Sequence, residues 1–325
     1  MKVLVTESIA EEGMDVLRDC AEVDIRLGLK PEELLALIGD YDALVVRSQT
    51  KVSAEVIDAG KKLQVIARAG VGIDNIDVAT ATRRGIVVGN APTSNTISAA
   101  EHTIALMLAL ARHIPQANAA LRSGVWKRDD FMGIEVRDKT LGIIGLGSVG
   151  SEVARRARGL EMKLIAHDPF ISEETARELG VSLVDLDTLL AESDFISVHA
   201  PLNDQTRHMI DETALRKMKP TAILVNTARG GVVDTEALYK ALKEGWINSA
   251  GLDVHETEPV PKDYPLFELD NVVISDHAGW YSEESIAELQ RGAAEAVVAV
   301  LSGGWPKFLV NPEVKEIARR KWGGE

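Results

Sequence analysis

Residues Thr140 to Asp168 read TLGIIGLGSVGSEVARRARGLEMKLIAHD. The stretch opens on an apolar, β-branched run, Leu141–Leu146, short enough for a buried strand. Gly145, Gly147 and Gly150 follow in the spacing G-x-G-x-x-G, and Val149–Leu160 has the pattern of a helix. A second apolar run, Lys163–Ala166, ends at Asp168. Strand, glycine turn, helix, strand and acid thus follow one another within about thirty residues, the length of one βαβ unit.

Each part has a physical task. Gly145 permits a tight turn, Gly147 lets the backbone approach a pyrophosphate, and Gly150 lets helix and strand pack closely. A helix start presents free N–H groups and a partial positive charge to phosphates. Asp168 stands where a carboxylate accepts hydrogen bonds from both ribose hydroxyls, which favours NAD because a 2′-phosphate would meet a like charge. Pro169 follows it directly, with no arginine beside it.

Working outward, 325 residues are enough for two domains. A net charge of −14 argues against nucleic acid or anionic membrane as the main partner and leaves room for a local basic pocket that takes an acidic metabolite. One cysteine, Cys20, rules out an intrachain disulfide and fits a reducing cytoplasm. Acids follow the first apolar residues where a signal peptide would stay apolar, and the longest apolar segment, Ile104–Ala111, is too short to span a bilayer. No set of histidine, cysteine or acid has metal-ligand spacing, and no G-x-S-x-G elbow is present.

Upstream, Val3–Thr6, Val23–Leu27, Ala43–Arg47, Val65–Ala69 and Ile86–Val88 read as strands. Glu11–Asp19, Pro31–Ile38, Ala54–Ala59 and Asp77–Arg84 read as helices between them. Ser94–Ser123 reads as a long, Ala- and Leu-rich helix, with Ser98 and Glu101 as a capping box and Pro115 as a kink or break. Its apolar half suits a domain crossing or a second subunit. Downstream, Leu141–Leu146, Lys163–Ala166, Phe195–Val198, Ile223–Asn226, Ala250–Val254 and Val272–Ser275 read as strands. The amphipathic segment Glu283–Leu301 reads as a helix returning to the first domain, because Lys307–Glu325 is too poor in apolar residues to fold alone. The expected class is α/β with two doubly wound parallel sheets: residues 1–93 and 285–325 form a flavodoxin-like substrate domain, and 94–284 an inserted Rossmann-type NAD domain.

Three residues stand at strand ends after the cofactor motif: Arg229 in NTARGG, Glu258 in HETEP and His277 in SDHAGW. Hydride reduction of a carbonyl needs an acid for the oxygen, and histidine titrates near neutrality. A carboxylate on its far ring nitrogen fixes the tautomer and stabilises the imidazolium. An arginine polarises the carbonyl and grips a neighbouring carboxylate in two parallel hydrogen bonds.

With VVRSQTKVS, ARAGVGIDNIDV, NAPTSNTISAAEHT, NTARGGVVD, LDVHETEP and the histidine segment in order around the cofactor stretch, the chain resembles the D-isomer-specific 2-hydroxyacid dehydrogenases, most closely the D-3-phosphoglycerate branch. The resemblance implies an NAD-dependent oxidoreductase that interconverts a D-2-hydroxy acid and its 2-keto acid. It implies Arg229 on the substrate carboxylate and carbonyl, His277 as acid/base and Glu258 as its partner. It places Ser148 and Val149 under the pyrophosphate, Asp168 and Pro169 by the ribose, and Ala200, Pro201 and Thr206 on the adenine and phosphate side. Thr227, Ala228, Asp253 and Gly279 fall at the nicotinamide end. Gly70, Val71 and Gly72 would offer backbone N–H groups to the substrate carboxylate. Arg47, with Ser48, and Arg128 from a partner subunit match positions that bind the substrate's phosphate. The implied partners are a small 2-hydroxy or 2-keto acid and a second copy of the chain, joined through residues 98–123.

The chain also departs from that pattern. Ser148 stands where relatives often carry arginine, and Asp129 and Asp130 where a phosphoglycerate enzyme can carry lysine. DHAGWYSEES replaces the usual histidine segment, putting Trp280 within reach of substrate, as in the family's corepressor branch. Glyoxylate or hydroxypyruvate is therefore an alternative substrate, and an NAD-sensing, non-catalytic dimer an alternative of another class. The regulatory C-terminal domains of long phosphoglycerate enzymes are not expected here, nor serine feedback through them. Among the other histidines, His102 and His113 read as helix packing, His167 and His199 as strand ends, and His208 and His255 as surface or loop.

Overall fold

The computed structural model describes residues 1–9 and 11–322. The chain forms two compact units, Met1–Asn95 with Tyr281–Glu325, and Thr96–Trp280.

The first unit holds strands β1 (Lys2–Val5), β2 (Glu22–Ile25), β3 (Ala43–Val46), β4 (Val65–Arg68) and β5 (Val87–Gly89), ordered β2-β1-β3-β4-β5, every pair parallel. Their side chains alternate between two cores. Val3, Val5, Val45, Val65 and Ala67 enter one, and Leu4, Leu44, Val46, Ile66 and Val88 the other. Burial on both faces explains why β3, β4 and β5 and most of β1 are near-continuous apolar runs, whereas the edge strand β2, reading EVDI, alternates in polarity and is not buried. Each large aliphatic side chain so buried contributes about 1.5–3 kcal/mol. The helix Glu283–Leu301 covers β3, β4 and β5, and its N-cap Ser282 accepts the Ser285 N–H at 3.1 Å. The tail adds a helix, Val314–Trp322, with Val314 and Ala318 buried. Asn311 stitches that tail down: its Oδ1 accepts Val88 N–H at 2.9 Å and its Nδ2 donates to Ile86 O at 3.0 Å.

The second unit holds β6 (Thr140–Ile144), β7 (Lys163–His167), β8 (Ser182–Leu183), β9 (Phe195–Val198), β10 (Ile223–Asn226), β11 (Ser249–Leu252) and β12 (Val272–Ile274). Their order is β12-β11-β10-β9-β6-β7-β8, again all parallel. The chain reverses direction across the sheet between β6 and β9, so the loops after these two strands flank a topological switch point, where open α/β sheets bind ligands.

Several expectations need correction. The Ser98 capping box does not form: the helix runs Thr96–Ala111, so Ser98 is its third residue. Its apolar face does not wait for another subunit, because Ala100, Leu106, Met107 and Leu110 are buried against β10, β11 and the helix Ser148–Gly159 of the same unit. Pro115 does divide the segment: His113 takes a left-handed conformation (φ 50°), and a second helix, Ile114–Arg122, carries Pro115 in its first turn. A seventh strand, β8, was too short to show a period. His255 is not a surface residue; it is 7% exposed and its Nε2 donates to Ser275 O at 2.9 Å.

Candidate active site

The glycine turn follows β6. Gly145 has φ +90°, a conformation L side chains rarely adopt, and a Cβ there would lie 2.9 Å from Ala200 N. A Cβ on Gly150 would lie 2.1 Å from Gly145 O, so turn and helix touch backbone to backbone. A Cβ on Gly147 would meet open space, which leaves that face of the turn free to be approached. Gly147 is also the N-cap of the helix Ser148–Gly159, so Ser148, Val149 and Gly150 form its first turn. The Asp168 carboxylate sits over this turn, accepting Leu146 N–H at 2.7 Å and Phe170 N–H at 2.9 Å. Each oxygen keeps a further lone pair. A tight turn with one open face, a free helix start and a fixed carboxylate together fit a dinucleotide.

Other predicted cofactor residues surround the same strand ends. Ala200 is buried and Pro201 exposed after β9, and Thr206 closes the next turn through its hydroxyl to Pro201 O. That hydroxyl, and the Thr227 hydroxyl 2.7 Å from Thr103 Oγ1, are bonded within the protein. Asp253 is likewise turned inward. Its Oδ1 accepts Ser275 Oγ–H at 2.7 Å and Ala278 N–H at 2.8 Å, and its Oδ2 accepts Gly279 N–H at 2.8 Å. Burial alone would raise its pKa, but hydrogen bonds from His102, Ser275, Gly279 and Ala278 hold it well below the usual carboxylate range. Asp253 therefore builds the turn that carries His277.

His277 occupies a left-handed conformation (φ 58°) in that turn, with its N–H on Asp253 O at 2.8 Å. Its Nδ1 lies 2.7 Å from Glu258 Oε2, and Glu258 Oε1 accepts His255 N–H at 2.9 Å. An ionised carboxylate only accepts, so Nδ1 carries the proton and Nε2 is left to exchange one. Arg229 is exposed, with Nη1 donating to Ala228 O at 2.7 Å. It is tied to the same loop by its neighbour: a Cβ on Gly230 would lie 1.9 Å from the His255 carbonyl carbon.

Sequence reasoning missed three positioning residues. Asn226, 1% exposed at the end of β10, clamps the turn before Arg229, with Oδ1 accepting Ala228 N–H and Nδ2 donating to Arg229 O, both at 3.0 Å. His102 Nε2 is 3.0 Å from Ser275 Oγ; because that hydroxyl gives its proton to Asp253, His102 must be the donor. His255 is the third, holding Glu258. Nothing local distinguished a clamping asparagine from a strand-end one.

Arg128 is exposed in a short 3-10 turn and pairs with Asp129 at 3.4 Å, while Lys127 pairs with Asp130 at 3.5 Å. Trp280 is half-buried at the end of the second unit. Arg47, Ser48, Gly70, Val71 and Gly72 belong to the first unit, where the last three follow β4 and the loop is held by Ala91 N–H on Gly70 O at 3.1 Å and by Asn90 Nδ2 on Val71 O at 2.6 Å.

One neighbour of the glycine turn titrates abnormally. Burial pushes the His199 imidazole down to about 3. The unfolded chain takes up that proton near pH 6.5 and the folded chain does not, so the stabilisation is full above 6.5 and is lost as pH falls toward 3. Between pH 7 and pH 5 the protein is expected to lose about 1–2 kcal/mol more unfolding free energy than His199→Gln, as read by urea titration at each pH. Equal losses would contradict the assignment.

Residues 104–279 match the family model described as D-isomer specific 2-hydroxyacid dehydrogenase, NAD binding domain. The chain belongs to the D-isomer-specific 2-hydroxyacid dehydrogenase family. The residues of the second unit are thus those of the family's NAD-binding domain, and NAD is its cofactor. The D-3-phosphoglycerate dehydrogenase of Archaeoglobus fulgidus is 53% identical over 304 residues, covering 93% of this chain and 58% of that protein. The chain spans little more than half the length of such curated relatives. Among solved structures, the TT0316 protein of Thermus thermophilus superposes with a TM-score of 0.88 at 37% identity, covering 95% of this chain and 100% of that one. The NAD+ complex of D-lactate dehydrogenase from Lactobacillus jensenii gives 0.81 at 28%, covering 95% and 99%.

Proposed function

We propose that this dehydrogenase interconverts a D-2-hydroxy acid and its 2-keto acid with NAD, and that 3-phosphoglycerate and 3-phosphohydroxypyruvate are the pair it acts on. The observation that carries the chemistry is the 2.7 Å contact between Glu258 and His277 Nδ1. It fixes the tautomer that leaves Nε2 facing the reaction as an acid when protonated and a base when neutral. Bound nicotinamide supplies the hydride in reduction and takes it in oxidation. Arg229 polarises the carbonyl and grips the substrate carboxylate, and protonated His277 Nε2 gives the carbonyl oxygen its proton as C2 is reduced. Glu258 stabilises the imidazolium that precedes that transfer. Ser148 and Val149 take the pyrophosphate on the helix start, and Asp168 takes the ribose hydroxyls.

Within the first unit, Arg47 and Ser48 are assigned to the substrate's phosphate and the backbone N–H groups of Gly70, Val71 and Gly72 to an anionic group; within the second, Arg229 is assigned to the substrate's carboxylate and carbonyl and Trp280 to an aromatic contact. The first unit is assigned to substrate and the second to cofactor. The named activity of the A. fulgidus relative supports this choice. NADH oxidation measured with 3-phosphohydroxypyruvate, hydroxypyruvate, glyoxylate and pyruvate tests it: the phosphorylated acid is expected to give the highest kcat/KM. Preference for hydroxypyruvate or glyoxylate would move the substrate assignment, and NADH binding without turnover of any would sink the activity.

A homodimer is part of the same reading, with Arg128 reaching the partner's site. Ile114 and Leu121 on the helix Ile114–Arg122, and Trp126 and Met132 beyond it, are 55%, 58%, 83% and 85% exposed, an apolar run that a second copy would cover. A sedimentation mass of one chain would contradict it. The cytoplasm is the compartment proposed, in keeping with one unpaired cysteine; among the described residues no helix is long and apolar enough to cross a membrane.

A further inference from the structure

Two motifs at the ends of neighbouring strands, VVRSQTKVS after β3 and ARAGVGIDNIDV after β4, meet in the first unit. In that sheet the chain steps from β1 outward to β2 and then back to β3, so β1 and β3 flank its switch point. Ligands of such sheets bind outside the carboxyl ends of the strands there. Glu7 and Ser8 follow β1, and Arg47 and Ser48 follow β3.

Glu7 is half-buried under the turn 47–50. Its Oε1 accepts Arg47 N–H at 2.8 Å and Thr50 N–H at 3.0 Å, and its Oε2 accepts Gln49 N–H at 3.2 Å. Burial would raise its pKa, but the backbone donors of Thr50, Arg47 and Gln49 outweigh it and lower the pKa, so the group stays ionised. Asn75, from the second motif, holds the other side of the turn: its Nδ2 donates to Arg47 O at 2.8 Å and Thr50 O at 2.7 Å. The Asn75 amide serves as a donor alone, since its Oδ1 is buried without a hydrogen-bond partner. Val52 N–H on Asn75 O at 2.8 Å completes the joint.

The turn's N–H groups at Arg47, Gln49 and Thr50 are thus already given to a carboxylate. They cannot also bind a ligand anion, so recognition there falls to the Arg47 and Ser48 side chains. Arg47 Nη1 reaches Ser8 O at 3.3 Å, which keeps its guanidinium at the same strand ends.

We propose that Glu7 and Asn75 are positioning residues for the substituent on substrate C3: by fixing the 47–50 turn from both sides they aim Arg47 and Ser48, and so set the preference for a phosphorylated over an unphosphorylated 2-keto acid. This rests on the assignment of Arg47 and Ser48 to substrate made above. The test is the ratio of kcat/KM for 3-phosphohydroxypyruvate to that for hydroxypyruvate, measured on the full chain, on Glu7→Gln, on Arg47→Gln and on the double variant. Glu7→Gln keeps the shape but turns an amide against Gln49 N–H. It is expected to lower the ratio about tenfold, chiefly through KM of the phosphorylated acid, as a small misplacement of a positioning group does. Because Glu7 acts through Arg47, it should lower the ratio less than about twofold further in the Arg47→Gln background.

Asn75→Ser, which removes the two donors from the opposite side, should give the same selective loss if Glu7→Gln fails to fold. An equal loss on both substrates, or a full tenfold effect of Glu7→Gln without Arg47, overturns the proposal. No preference for the phosphorylated acid in the unaltered chain removes the substrate assignment and this inference together. A preference that Glu7→Gln leaves intact removes this inference alone.

Discussion

His277→Asn is expected to lower kcat by about 10³-fold, within the range a positioned general acid supplies, while NADH affinity by fluorescence titration changes less than about twofold. Asparagine is the apt replacement because His277 sits at φ 58°, and asparagine tolerates that left-handed region better than most residues. The backbone hydrogen bond to Asp253 O can then persist, and what is lost is the ring that exchanges the proton. Glu258→Gln should be milder, about 10-fold in kcat, since the glutamine oxygen can still accept from Nδ1 but carries no charge to stabilise the imidazolium. Near-normal turnover by His277→Asn would remove it from the chemistry; lost NADH binding would show that the turn, not the ring, had failed.

The second large effect concerns Arg229. Arg229→Gln is expected to lower kcat/KM for the 2-keto acid by about 10²–10³-fold, the usual cost of removing a preorganised donor from a developing oxyanion. Arg229→Lys should recover little of this, because an ammonium cannot make two parallel hydrogen bonds to a carboxylate. The guanidinium is exposed against Ala228 O, and the turn is held by Asn226 and Gly230 instead. The thermal midpoint should therefore stay within about 1–2 °C, as for surface substitutions generally. Unchanged kcat/KM with the keto acid would take Arg229 out of the site, whereas a drop in midpoint would mark it as structural.

These two effects bracket what was legible in the sequence. The glycine turn was readable because its parts are sequential neighbours: Gly145, Gly147 and Gly150 lie within six residues, and Asp168 directly follows the very next strand. The alternation of strand and helix was readable for a related reason, since strands buried on both faces are short unbroken apolar runs. Ser98 was misjudged because a Ser-x-x-Glu pattern speaks only for a local cap, while the helix it lies in is packed along Ala100, Met107 and Leu110 and starts earlier. His102 was missed because its partners, Ser275 and Asp253, lie far away in sequence, and Asn226 and His255 because side-chain and backbone bonds to residues two or three positions on leave no pattern in the sequence. Which loop covers a strand end is decided by packing, as the Gly230 contact with the His255 backbone shows. The NTARGG motif displayed that glycine but not what it lies against.

Asp253 illustrates the same limit more sharply. A carboxylate at a strand end reads naturally as a ligand for something outside the protein. Here its two oxygens accept from Ser275, Ala278 and Gly279 and hold the turn that carries His277. The backbone of His277, the residue proposed as acid and base, is thus set by a buried acid 24 positions before it in the chain, and no pattern in either segment announces the pairing.

The most direct test of the account follows the hydride itself. With 3-phosphohydroxypyruvate and NADH carrying deuterium at both C4 positions, the account predicts D-3-phosphoglycerate with one deuterium at C2, formed in step with NADH loss. A product without deuterium at C2, or of the L configuration, would contradict it.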